Sequence, residues 1–185
     1  MRVERTHIAD VLVFVPEPFH DERGLFTRTF DSADFDRAMG KPGSAAAFTQ
    51  DSQSRSRRGV VRGMHGRSGR GEAKLVRCAQ GAVLDVIVDT RPASATYGRS
   101  AQFRLDDIEF RHLYIPPGFL HGFQALTDTA DMCYRIDRPH DPTEDLAVRY
   151  NDPDLAIAWP LPVTAVSGRD AAAGSWQTLA RRLNQ

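Results

Sequence analysis

The side chains of this sequence that can do chemistry concentrate where their neighbours are apolar. His65 closes GVVRGMH, and His121 lies in YIPPGFLHGFQAL. There Pro116, Pro117 and Gly118 form a rigid turn that delivers the histidine at a fixed place on the next strand. The stretch from Gly59 to Arg91 embeds Arg62, His65, Lys74 and Arg77 in apolar strands, and DMCYRID does the same for Tyr134. A β-barrel interior filled only for stability is apolar, so inward-facing Arg, His and Lys point to a polar cavity. Two pairs of alternatives stay open on pattern alone. A histidine in an apolar strand is either a hydrogen-bonded core residue or a base. Arg62 and Arg77 either enter the cavity or face solvent and pair with Asp85 or Asp89. His7 and His112, near surface strands, carry no functional weight.

The elements that must position these residues read as β-strands. Val11–Val15, Leu25–Phe30, Ala47–Gln50, Val60–Arg62, Lys74–Cys78, Ala82–Asp89, Gly98–Leu105, Arg111–Ile115, His121–Leu126, Met132–Ile136 and Ala147–Tyr150 are short and rich in β-branched or aromatic residues. Gly, Pro, Asp and Ser punctuate them at the spacing of a sandwich or barrel, not of βαβ units. Asp85 and Asp89, four apart in AVLDVIVDT, point to one face of their strand. Helical signals lie towards the ends. Asp31–Ala38 is a short helix capped by Asp31 or Ser32, and Ala171–Leu183 is long enough for a terminal helix. The reading is a single all-β domain over residues 1–185, a jelly roll with short peripheral helices near its N- and C-terminal ends.

Composition bounds the partners. A chain of 185 residues can bury roughly 70% of the surface its unfolded form exposes, so its core needs no disulfide or structural metal. Lys plus Arg number 24, as do Asp plus Glu, for a formal net charge of zero. That balance gives no support to a nucleic-acid or membrane-surface partner. No apolar run approaches the ~20 residues of a membrane helix. MRVERTHIADVLVFVPEP lacks the apolar stretch and small-residue cleavage site of a secretory signal. Cys78 and Cys133 form no CxxC pair and read as buried free thiols of a cytoplasmic protein.

Pro116 to His121 has the P-x-G-x-x-H form of the second metal motif of cupins, a jelly-roll superfamily, but the HxH of the first motif occurs nowhere. At larger scale the chain resembles the dTDP-4-dehydrorhamnose 3,5-epimerase family. The likeness is carried by FHDERGLF, FTQDSQSRSRRGVVRGMH, AKLVRCAQGAVLDVIVDTR, YIPPGFLHGF, Tyr134, NDPDLAIAWP and SGRDAAA, in order and over nearly the whole chain. What the resemblance implies is a homodimer of cupin-type jelly rolls, without metal or cofactor, acting on a nucleotide-linked 4-keto-6-deoxy sugar. His65 matches the base that removes a proton beside the ketone, and Asp170 the carboxylate that orients it. Lys74 matches the cation beside the enolate oxygen and Tyr134 the acid on the opposite face. His121 matches a polar residue holding the ketone or the lysine. Arg23 and Arg62 match phosphate contacts, Gln50 a nucleotide contact, and Phe19 and Phe26 an apolar wall for the base.

Departures from the family pattern bear on specificity. Ser52 stands where an Asn is common, and Arg28 where a Glu is. Gly66 and Arg67 replace an aromatic residue and a Gln, and Pro139-His140 replaces a Tyr-Tyr pair near the sugar ring. These changes leave open whether C3, C5 or both invert. Two other functions compete. A metal-dependent cupin oxygenase or isomerase needs about three ligands with an open position, which the missing HxH disfavours. A non-catalytic sugar-nucleotide binder has no physical need for base, orienting carboxylate, cation and acid together.

Overall fold

The computed structural model describes residues 1–184. Its strands are β1 (Arg2–Arg5), β2 (Leu12–Val15), β3 (Phe19–Asp21), β4 (Gly24–Phe26), β5 (Gln50–Arg57), β6 (Val61–Arg67), β7 (Lys74–Gln80), β8 (Ala82–Asp89), β9 (Ser100–Asp106), β10 (His112–Ile115), β11 (Phe119–Ala125), β12 (Thr129–Ile136) and β13 (Asp145–Ala147). A six-stranded sheet runs β1-β2-β10-β7-β12-β5, a five-stranded sheet runs β13-β6-β11-β8-β9, and β3 and β4 form a separate hairpin. Neighbours are antiparallel and mostly non-consecutive, as in the expected jelly roll. Between the large sheets, Val76, Leu113 and Met132 from one meet Ile87, Phe123 and Leu105 from the other, all buried.

Helices close the outer faces. Asp31 caps α1 (Ser32–Met39) by accepting from the amides of Ala33 and Asp34, and Gly40 ends it in a left-handed conformation. A glycine adopts that conformation without steric cost. Phe35 of α1 is buried beside Phe14 and Tyr114 on the outer face of the six-stranded sheet. At the other end the expected single helix is two, α2 (Gly168–Ala171) and α3 (Trp176–Leu183). Ser167 and Ser175 each supply an N-cap, so the second cap restarts the helix. Leu179 of α3 packs against the five-stranded sheet with Leu120, Val148 and Leu155.

The remaining differences from the sequence reading have a common cause. β1 (RVER), β3 and β5 (QDSQSRSR) carry little apolar pattern because they lie at sheet edges or in the exposed hairpin. Ala47 ends a 3₁₀ turn, so the strand expected at Ala47–Gln50 starts only at Gln50. The Leu25–Phe30 run is strand only to Phe26, and the strand expected at Ala147–Tyr150 lies earlier, at β13. His112 is buried instead of superficial, while Cys133 is only half-buried; both cysteines are free thiols. Among the described residues no helix is long and apolar enough to cross a membrane.

One contact sets the geometry on which the polar residues depend. β6 and β11 pair with His65 directly opposite His121, and their register shifts between His121 and Phe123. The strands approach so closely there that a Cβ on Gly63 would lie 2.6 Å from the Cα of Gly122, and Gly63 has φ +130°. Both the space and the backbone angle exclude a side chain. Gly63→Ala is therefore expected to destabilise the protein by about 2–4 kcal/mol, read as a lower urea midpoint. An unchanged midpoint would show that this crossing relaxes freely.

Candidate active site

Polar residues from both large sheets converge on a cavity of about 810 Å³ at one end of the sandwich. Its walls include Arg62 and His65 of β6, Lys74 of β7, His121 of β11, Tyr134 of β12, and Gln50 and Ser52 of β5, together with His140 and Asp170. Side chains alternate along a strand, so Arg62 and His65 reach one cavity only because the β6–β11 register shifts between them. On β12 and β7, Tyr134 enters the cavity whereas Cys133 and Arg77 lie on the sheet's other face, where Arg77 lines a smaller cavity with His112.

Asp170, 105 residues away in sequence, reaches His65 with Oδ1, 2.6 Å from Nε2. Its other oxygen accepts the Gly63 amide at 3.1 Å, and Ser167 Oγ holds its own amide at 3.0 Å. A carboxylate only accepts, so His65 donates through Nε2 and presents the Nδ1 lone pair. Burial is the largest influence on Asp170 and would raise its pKa, but hydrogen bonds from His65 and Gly63 outweigh it and hold the carboxyl below its ordinary value. Burial also lowers the His65 pKa; the hydrogen bond and charge of Asp170 oppose this, while the charges of Lys74 and Arg169 add to it. The result is an imidazole that is neutral, and so able to take a proton, near neutral pH.

A second histidine–carboxylate pair stands across the strand. His121 Nε2 lies 2.7 Å from Asp85 Oδ2, both residues buried, and the other oxygen of Asp85 has no hydrogen-bond partner among the described residues. The His121 ring meets Tyr134 edge-on, with centroids 6.2 Å apart. Burial pushes the Tyr134 phenol up to about 12, which keeps it protonated at neutral pH. Its hydroxyl lies 3.1 Å from Ser54 Oγ. Lys74 Nζ is 3.0 Å from Glu72 Oε1. Arg62 donates to Ser56 Oγ and the Arg55 carbonyl. The alternative pairing is not formed: Asp85 goes to His121 and Asp89 to Arg91.

Of the residues singled out from sequence, the structure gathers His65, Asp170, Lys74, Tyr134, His121, Arg62, Gln50, Ser52 and His140 around one cavity. Phe19, Arg23 and Phe26 are elsewhere. They project on the β3–β4 hairpin, with Phe19 and Phe26 paired across it and 65% and 73% exposed. Sequence reasoning missed Glu72, Ser54 and Arg169. Glu72 was within reach of it, two residues before Lys74 and so on the same side of an extended chain. Among the described residues no three His, Cys, Asp or Glu side chains come together to hold a metal ion.

Comparisons with known proteins converge. A family model described as dTDP-4-dehydrorhamnose 3,5-epimerase matches residues 5–178. The dTDP-4-dehydrorhamnose 3,5-epimerase of Escherichia coli is 42% identical over 161 residues, covering 86% of this chain and 85% of that protein. The dTDP-4-dehydrorhamnose 3-epimerase of Streptomyces niveus is 41% identical over 171 residues, covering 92% and 81%. A solved 3,5-epimerase from Legionella pneumophila, in complex with dTDP-4-keto-L-rhamnose, superposes with a TM-score of 0.90 at 35% identity, covering 98% of this chain and 96% of that one.

The His65–Asp170 pair makes a signed prediction. Asp170 raises the imidazole pKa against burial, so Asp170→Asn should lower it further, seen in the pH titration of the His65 ring protons by NMR. A pKa that stays or rises would mean that the carboxylate does not act on the imidazole.

Proposed function

Because the chain belongs to the dTDP-4-dehydrorhamnose 3,5-epimerase family, and so is an epimerase of dTDP-sugars, we propose that residues 1–185 form one catalytic unit that inverts C3, C5 or both of a dTDP-linked 4-keto-6-deoxyhexose through an enolate. The observation that carries this reading is the placement of a neutral, carboxylate-bound histidine, a lysine and a protonated tyrosine around one cavity. A proton on carbon beside a ketone leaves readily only if a base is in place and the enolate is stabilised. His65 Nδ1 takes that proton, the C–H electron pair moves into the ring to form the enolate, and the charge on oxygen falls to Lys74. Tyr134 then gives its phenolic proton to the carbon from the opposite face, which inverts the centre, and exchange with solvent restores both groups. Asp170 keeps the imidazole oriented, and Asp85 does the same for His121 beside the sugar. Gln50, Ser52 and Arg62 take the nucleotide diphosphate, the guanidinium as a bidentate donor.

The hairpin supports a homodimer. A two-stranded ribbon is barely stable alone, yet β3–β4 presents Phe19 and Phe26 to solvent. Both rings and Arg23 lie outside their own cavity. A partner's cavity mouth gives the rings cover and places Arg23 on the nucleotide. A cytoplasmic setting completes the proposal, supported by the two unpaired thiols.

Proton NMR of dTDP-4-keto-6-deoxyglucose with the protein in deuterated water tests the mechanism. Exchange is expected at C3, C5 or both. His65→Asn should slow it by about 10²–10⁴-fold, and Tyr134→Phe should leave exchange while suppressing inversion. Full exchange in His65→Asn would sink the assignment, and unchanged turnover in EDTA is expected throughout.

The dimer has its own check. Light scattering should give twice the chain mass for the wild type and less for Phe19→Ser/Phe26→Ser, with Arg23→Ala raising KM in an intact dimer. A monomeric, fully active wild type would refute it.

A further inference from the structure

We propose that Arg67 is a positioning residue that holds His140 in one tautomer as a hydrogen-bond donor to a hydroxyl of the sugar. The proposal rests on the enolate reading above and deepens it by naming how the same site grips its substrate. Arg67 and His140 are two of the positions at which this chain departs from the family pattern, and in the fold they touch.

Arg67 is the last residue of β6, two beyond His65, and its side chain is only 6% exposed. A guanidinium removed from water is costly unless its donors are met, and here they are. Nε donates to Glu72 Oε2 at 2.9 Å, one terminal nitrogen donates to the Asp141 carbonyl, and the other lies 2.5 Å from His140 Nδ1. Asp145 stands 3.5 Å away and adds a second carboxylate. The guanidinium thus grips two successive residues of the loop between β12 and β13 and ties them to the floor of the cavity.

The chemistry of that grip fixes the histidine. Guanidinium has donors and no acceptor, so Nδ1 of His140 must offer its lone pair. The ring is then neutral and carries its proton on Nε2. Among the described residues that nitrogen has no hydrogen-bond partner, and His140, itself exposed, lines the cavity that holds His65, Lys74 and Tyr134. A donor of fixed identity is left for a ligand, on a loop that would otherwise lose entropy on ordering.

A hydrogen bond made equally to bound substrate and transition state changes KM far more than kcat. The test is therefore steady-state kinetics on dTDP-4-keto-6-deoxyglucose, with dTDP binding measured separately. His140→Phe should raise KM about tenfold, with a much smaller fall in kcat and an unchanged Kd for dTDP. His140→Gln, which can both accept from Arg67 and donate, should recover most of that loss. In an Arg67→Gln background, Phe and Gln at position 140 should behave alike, because the residue that aims the donor is gone. If Arg67→Gln does not fold, Arg67→Lys serves. It keeps a charge against Glu72 but cannot hold three acceptors in a fork. Additive effects of the two positions, or normal KM in the Arg67 variants, would overturn the proposal. Equal weakening of dTDP would also overturn it, since the donor would then serve the phosphates. A wild type that turns over none of this sugar would count against the function itself, a separate outcome from wild-type turnover with unperturbed variants.

Discussion

A carboxylate buried to 4% exposure has to be satisfied by protein donors, and how Asp170 achieves this organises the whole cavity end of the molecule. Its two oxygens accept one hydrogen bond from the His65 ring and one from the Gly63 backbone amide, and so hold two points of the same strand. Gly63 can be so used only because it has no side chain where β6 crosses β11. α2 is a single turn with little stability of its own, so its place is set by this carboxylate and by the chain preceding it. The Val61 amide donates to the Ala165 carbonyl just before the turn. Breaking the Asp170 contacts would leave a buried charge unpaired and release the segment that forms one wall of the site.

The rest of the site follows from the same conflict between burial and charge. Within one cavity a histidine is pushed down and a tyrosine up. Separation of this kind makes one group a base and another an acid at a single pH. Burial does most of the work in both cases, and neighbouring charges only adjust it. The cations around the cavity are in turn held by acids: Lys74 by Glu72, Arg67 by Glu72 and Asp145, Arg169 by Asp145.

How much of this was legible in the sequence depended on which interaction decided each element. Ala82–Asp89 was read to the residue because both of its faces are buried and apolar residues flank Asp85 on each side. β5 escaped because it is an edge strand of Ser, Gln and Arg, held by its partner β12 and not by an apolar face. His65, Lys74 and Tyr134 stood out as polar residues in apolar strands, and the cavity accounts for them. Asp170 carried no such signal. Its neighbours are Gly, Arg and Ala, and a contact across 105 residues leaves no spacing to read, so only family resemblance pointed to it. Asp85 was placed on one face of its strand with Asp89, but its partner could not be named before the β8–β11 register was known.

Inversion needs groups on opposite faces of a ring, and a two-sheet sandwich supplies them without any special device. His65 belongs to the five-stranded sheet and Tyr134 to the six-stranded sheet, so a sugar lying between the sheets has one on each side. If one base serves both carbons, the ring must turn for the second to react, so that another C–H faces that base. Freedom to turn is then set by whatever grips the far end of the sugar. In this chain the Arg67-held loop bearing His140 lines the cavity and offers a polar group there. Aromatic faces allow a ring to slide and re-stack, whereas a directional hydrogen bond favours one orientation and weakens steeply away from it. If one base and one acid serve either carbon, the choice between the carbons falls to the residues that hold the ring.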